Sequence, residues 1–146
     1  MGPLNLLNDA IVYVDTAPVI YSIEPHPDYS FLVQPLWERL HANEITIVSS
    51  ELLWLETLVG PMKNKNQPLI KLYTELLTNN IRLIPIDEVI LKRSAELRST
   101  SSLKIPDAIH AATALIYGCT LFLTNDAGLR KVPGLTTIVL KDLLSP

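Results

Sequence analysis

The sequence predicts an α/β fold, a parallel sheet with helices on both faces. Five short β-branched runs recur along the chain, at 11–14, 45–48, 81–86, 120–123 and 136–140. Most are continuously apolar, the pattern of strands buried on both sides. The stretches between them are long enough for helices, and alternating strands and helices imply parallel strands joined by crossovers. At 146 residues, the chain has the length of a single domain over 1–146, able to bury a core without staples.

Each element carries a local reason. Thr16 can cap a helix holding Val19, Ile20 and Tyr21, with Pro18 in its first turn. Pro35 makes the segment 28–43 ambiguous, because a proline inside a helix removes an N–H. Ser49 or Ser50 can cap a helix over 51–59, which Gly60-Pro61 is expected to stop. Pro68 opens the next helix, which runs out at Thr78-Asn79-Asn80. Asp87 caps a helix to about Ser99, and Pro106 opens another over 107–117 that Gly118 closes. The uncharged run 108–125 reads as helix, turn and strand, since His110 and Gly118-Cys119 interrupt it.

Composition narrows the function. Charged residues are 18% of the chain, against roughly 25% in an average globular protein. With 48% hydrophobic residues, that excludes a disordered tail and suggests spare apolar surface for a partner or a second copy. The net charge of −3 disfavours binding nucleic acid by bulk charge. A lone Cys119 excludes an internal disulfide and multi-cysteine metal motifs, and its neighbours suggest a small buried hydrophobe. No signal-peptide pattern is seen, and Met1-Gly2 is followed by Leu6 where myristoylation wants Ser or Thr. A cytoplasmic protein with no membrane association is expected.

The acids are the informative residues. Asp15 directly follows the first strand run and Asp126 the fourth. Open parallel sheets bind ligands beyond the carboxyl ends of strands, where the strand order reverses. If those strands are neighbours, the two aspartates face each other across the crevice. Asp107 lies in the first turn of the preceding helix, and Glu56 lies among Leu52, Leu53, Leu55 and Val59, near a core-facing stripe. An Asp after a strand commonly makes a turn or a cap. Four clustered carboxylates repel, however, and a shared divalent cation makes such a cluster tolerable. All-oxygen donors favour Mg²⁺ or Mn²⁺ over zinc.

Val12-Tyr13-Val14-Asp15-Thr16, Ser50 with Glu56, Ile105-Pro106-Asp107-Ala108-Ile109-His110-Ala111-Ala112 and Leu123-Thr124-Asn125-Asp126 occur in that order. This pattern resembles the PIN-domain family, specifically VapC-type toxins of toxin–antitoxin pairs, over roughly 11–142. The resemblance implies a three-layer α/β/α sandwich with sheet order 3-2-1-4-5. It also implies a Mg²⁺- or Mn²⁺-dependent endoribonuclease whose acids match Asp15, Glu56, Asp107 and Asp126. Thr16 and Thr124 match supporting hydroxyl positions, with Asn125 beside them. A 5′-phosphate and a 3′-hydroxyl are the implied products, and an antitoxin and a homodimer the implied partners. The polar stretch 63–67 has no counterpart in that pattern.

RNA needs phosphate contacts even on an acidic chain. Lys104, Arg130 and Lys131 lie nearest the acids in sequence, ahead of Lys63, Lys65, Lys92 and Arg93. His110 is one turn from Asp107 but is expected to pack on its helix face. Trp37 and Trp54 sit among leucines and read as core or dimer contacts. Two rivals remain. A receiver-like phosphoacceptor would use Asp87, Thr124 and Lys141, leaving Asp107 and Glu56 idle. An inactive PIN interaction module would keep the fold without the chemistry.

Overall fold

The structure, a computed structural model, describes residues 4–144, so the Met1-Gly2 start lies outside the described residues. Its elements are β1 (Ala10–Val14), α1 (Thr16–Ile23), α2 (Ser30–His41), β2 (Ile45–Ser50), α3 (Leu52–Lys63) and α4 (Gln67–Asn79). There follow β3 (Arg82–Ile84), α5 (Glu88–Ser99), α6 (Ile105–Ile116), β4 (Leu121–Thr124) and β5 (Thr137–Val139). Short 3-10 turns occupy Ala127–Lys131 and Leu140–Leu143.

The five strands form one parallel sheet in the order β3-β2-β1-β4-β5, as expected. β1 is central, with Tyr13 opposite Val48 on β2 and Phe122 on β4. Val12, Tyr13 and Val14 are fully buried, which explains why the run does not alternate. Val12 and Val14 pack with Leu36, Leu53 and Leu77 on the α1–α4 side. Tyr13 packs with Ile90, Ile109 and Phe122 on the α5–α6 side. Each such side chain contributes about 1.5–3 kcal/mol of hydrophobic stabilisation.

The strand order removes the receiver reading. β3 is an edge strand, with β2 and β1 between it and β4. Asp87 is therefore remote from Thr124, and its carboxylate caps α5 by accepting the Ile90 N–H at 2.9 Å.

Several boundaries differ from those the sequence suggests. α1 is capped by Asp15, which accepts from the N–H of Thr16, so Thr16 is inside the helix. α3 continues through Gly60-Pro61 to Lys63. A proline near a helix end forfeits one bond, and Pro61 is itself buried. Within segment 28–43 the helix α2 forms over Ser30–His41 and contains Pro35, with Leu32, Val33 and Leu36 burying its inner face. The stretch 63–67 runs from the last residue of α3 to the first of α4, with residues 64–66 as the turn between them and Asn66 capping α4. Gly118 closes α6 at φ 61°, a conformation that favours glycine. Cys119 is half-buried rather than fully enclosed.

Candidate active site

Asp15 is fixed on both oxygens. Its N–H donates to the carbonyl of Leu123 at 2.9 Å, extending the β1–β4 ladder one residue past the strand. Oδ1 accepts from Thr16 N–H at 2.8 Å, and Oδ2 accepts from the Thr124 hydroxyl at 2.7 Å. The Thr124 oxygen in turn accepts from Asp126 N–H at 3.0 Å. Asp126 turns the chain after β4, its Oδ1 accepting from Gly128 N–H at 2.9 Å. A Cβ on Gly128 would stand 3.2 Å from that oxygen, so the position suits glycine. Asp107 is half-buried in the first turn of α6, where the helix dipole favours a carboxylate. Asn125 ties neighbouring elements, donating to Tyr21 and accepting from Lys141 N–H.

Asp15, Glu56, Asp107 and Asp126 line one crevice of about 350 Å³, together with Thr16, Thr124, Asn125 and Tyr21. It lies beyond the carboxyl ends of β1 and β4, where the chain changes direction across the sheet. Four acids from four separate segments, with their supporting hydroxyls, are thus brought together.

His110 departs from the expectation of simple packing. It is buried, yet both ring nitrogens meet polar side chains. Nδ1 is 2.6 Å from the Tyr13 hydroxyl, and Nε2 is 2.6 Å from Glu56 Oε1. Thr16 donates its hydroxyl to the same Glu56 oxygen at 2.6 Å. An ionised carboxylate only accepts, so Nε2 carries the hydrogen in the bond to Glu56. His110 Nε2 also stands 3.7 Å from Asp15 Oδ1. Nothing in the sequence pointed to the Tyr13 and Tyr21 hydroxyls; the spacing of His110 from Asp107 was the one available signal.

The electrostatics follow from this crowding. Burial and then the charges of Asp15 and Asp126 raise the Asp107 carboxyl above its ordinary range, while His110 partly opposes them. Burial alone would raise Glu56 too, but the His110 hydrogen bond and charge, with Thr16, hold it low. Burial would depress His110; the Glu56 bond and the charges of Asp15, Glu56 and Asp107 outweigh it and raise the imidazole. Burial pushes the Tyr13 phenol well up, so it stays neutral.

Among the described residues no three Asp, Glu, His or Cys side chains form a ready-made cation cluster. Asp15 accepts hydrogen bonds on both oxygens, and Glu56 and Asp126 on one each. Asp107 has no hydrogen-bond partner among the described residues. The donor chemistry nevertheless fits a hard dication, because every carboxylate offers oxygen only and the charges of Asp15 and Asp126 on Asp107 are only partly opposed by His110.

The family model of the PIN domain matches residues 12–135, a span that includes all four acids. The chain belongs to the PIN-domain family. PIN domains are in general nucleases. No curated protein shows a significant match to the chain. Among solved structures, this PIN domain resembles VapBC2 from Rickettsia felis, bound to a DNA fragment from its promoter. The identity is 21% and the TM-score 0.72, covering 88% of this chain and 98% of that one. VapBC-1 from nontypeable Haemophilus influenzae is similar at 19% identity and TM-score 0.69, covering 90% and 98%. FitAcB from Neisseria gonorrhoeae is similar at 20% and 0.66, covering 87% and 96%. At these identities the likeness shows the shared fold.

None of the basic candidates lines this PIN crevice. Lys104 is exposed immediately before α6, three residues from Asp107. Arg130 is paired with Asp142. Lys131 lines a separate cavity of about 420 Å³ with Leu97, Leu103 and Val132. Lys92 pairs with Glu88 and Arg93 with Glu96, both on the exposed face of α5. Trp37 is half-buried, donating its Nε1–H to Ser22, and Trp54 lines an apolar groove with Leu55, Leu58, Val59 and Met62. Among the described residues no helix is long and apolar enough to cross a membrane.

Proposed function

We propose that this PIN domain is a divalent-metal-dependent endoribonuclease and the toxin of a toxin–antitoxin pair. The observation that carries this reading is the convergence of Asp15, Glu56, Asp107 and Asp126 on one crevice. The toxin role is supported by solved relatives of the same fold, which include a VapBC complex and a toxin-antitoxin complex from Klebsiella pneumoniae. An antitoxin, a homodimer and a cytoplasmic location belong to the same proposal.

Asp15, Asp107 and Asp126 would hold Mg²⁺ or Mn²⁺, with Glu56 assisting directly or through water. The bound ion would supply Lewis acidity toward water and the phosphoryl oxygens. The chain's own residues do the rest. The Thr16 and Thr124 hydroxyls hold Asp15 and Glu56 in place, so the carboxylates need not reorganise when substrate arrives. Asp107, whose proton affinity is raised by burial and by the charges of Asp15 and Asp126, is an acid that a cation would relieve. Lys104, three residues before Asp107, would be the first candidate to meet an RNA phosphate; Lys131 faces a separate cavity, and Arg130 would first have to release Asp142.

The test is cleavage of a mixed RNA pool by wild type, Asp15→Asn and Asp107→Asn, with Mg²⁺ and with EDTA. Cutting should need the metal and fall by about a hundredfold or more in each variant. Undiminished cutting by either variant would overturn the reading. Wild type that folds but never cuts would identify an inactive PIN interaction module instead.

A further inference from the structure

We propose that His110 is a positioning residue for Glu56, and that Tyr13 positions His110. The inference rests on the nuclease reading of the crevice, to which it adds a residue outside the four acids. Three side chains from three elements form one line: Tyr13 on β1, His110 on α6 and Glu56 on α3. The two links are each 2.6 Å. Tyr13 is immobilised from behind, fully buried and stacked on Phe122 at a centroid distance of 5.0 Å and an interplanar angle of 6°.

Glu56 needs such a restraint. It is the acid borne mid-helix rather than at a strand end or a helix start, and its side chain has three torsions to fix. His110 Nε2 and the Thr16 hydroxyl both bind Oε1, while Oε2 has no partner among the described residues. The carboxylate is therefore held in one orientation with one oxygen left for the crevice. A packing role alone would be served by a leucine. Here both ring nitrogens are used, and among the described residues the tyrosine hydroxyl bonds the imidazole and no acid directly.

Side-chain length supplies a discriminating experiment. His110→Gln sets an amide near the Nε2 position, so it can still donate to Glu56. His110→Asn reaches the Nδ1 position and Tyr13 but stops short of Glu56. His110→Leu removes both links, and Tyr13→Phe removes the anchor alone. For each folded protein, with its thermal midpoint as control, Mn²⁺ binding is measured by titration calorimetry, and kcat and KM on RNA with Mg²⁺.

His110→Leu and His110→Asn should lose about tenfold to a hundredfold in Mn²⁺ affinity or kcat, the range for residues that orient ligands. KM should change little, and His110→Gln should recover most of the loss. Tyr13→Phe should shift the same readouts in the same direction by less. Adding His110→Leu to Glu56→Gln should cost little more than Glu56→Gln alone, because both changes remove the same contribution. If the Leu variant does not fold, the Asn-against-Gln comparison decides. Asn and Gln variants that match each other in Mn²⁺ affinity and kcat would overturn the inference. So would full additivity with Glu56→Gln. In both cases the nuclease reading stands while Asp15→Asn is inactive. Wild type that neither binds Mn²⁺ nor cuts RNA overturns the nuclease reading itself, and this inference with it.

Discussion

Thr124 on β4 donates its hydroxyl to Oδ2 of Asp15 at 2.7 Å, and the same oxygen accepts from the N–H of Asp126. One side chain thus joins the end of β1 to the turn that carries a second acid. Thr124→Val keeps the shape and removes both bonds. Leaving buried polar groups short of partners costs about 1–3 kcal/mol each. At about 2–4 °C per kcal/mol for a chain of this size, Tm should fall by several degrees. Thr124→Ser should fall less. Calorimetric melts of the three proteins check this.

Asp107 gives the opposite sign. Its carboxyl is raised by burial and by Asp15 and Asp126, so its charge opposes folding at neutral pH. Asp107→Asn should raise the Tm of the metal-free protein, by about 2–4 °C per kcal/mol of relieved repulsion. Asp126→Asn should act in the same direction, because an amide oxygen can still accept from Gly128 N–H. Mg²⁺ should stabilise wild type more than either variant. Melts with EDTA and with Mg²⁺ measure both effects, and a lower Tm for Asp107→Asn would contradict the crowding argument.

The same charges set a pH profile. His110 is raised above its ordinary 6.5, so its contribution is fully present below 6.5 and is lost as pH climbs through the raised folded value. The raised Asp107 carboxyl acts in the same direction. Glu56 is held below its ordinary 4.5, so its contribution is present above 4.5 and is lost as pH falls through the lower folded value. Metal-free Tm should therefore be greatest in mildly acidic buffer and decline on both sides. His110→Gln should flatten the alkaline decline, and melts across the pH range would show whether it does.

Cys119 provides a check away from the crevice. Burial pushes its thiol from 9.0 up to about 11. Thiolate is the reacting form, so two pH units mean about a hundredfold less of it near pH 8. Alkylation by iodoacetamide should be slower than for a free thiol by roughly that factor, and unfolding should restore the rate. Mass spectrometry against time in native buffer and in denaturant supplies the comparison.

The strands, their parallel sense and the acids beyond their ends were legible because buried apolar runs and chain punctuation are local signals. The resemblance supplied the strand order. The extent of α3 was not legible, because the burial of Pro61 that offsets its missing N–H depends on the other layers. Segment 28–43 was ambiguous for the same reason, since the burial of Leu36 decides the matter against Pro35. The polar bonds of His110 were not legible, because their partners Glu56 and Tyr13 lie 54 and 97 residues away in sequence. The commitment of Arg130 to Asp142 is likewise a relationship that no local pattern carries.

The bond between Asp15 and Thr124 spans 109 residues of sequence. A chain emerging from the ribosome therefore presents Asp15 long before the strand that completes its surroundings has been made. Contacts of such separation form late, once the loop between them can close. An unfinished copy, or a fragment that ends before β4, lacks Thr124, Asn125 and Asp126, and with them one wall of the crevice.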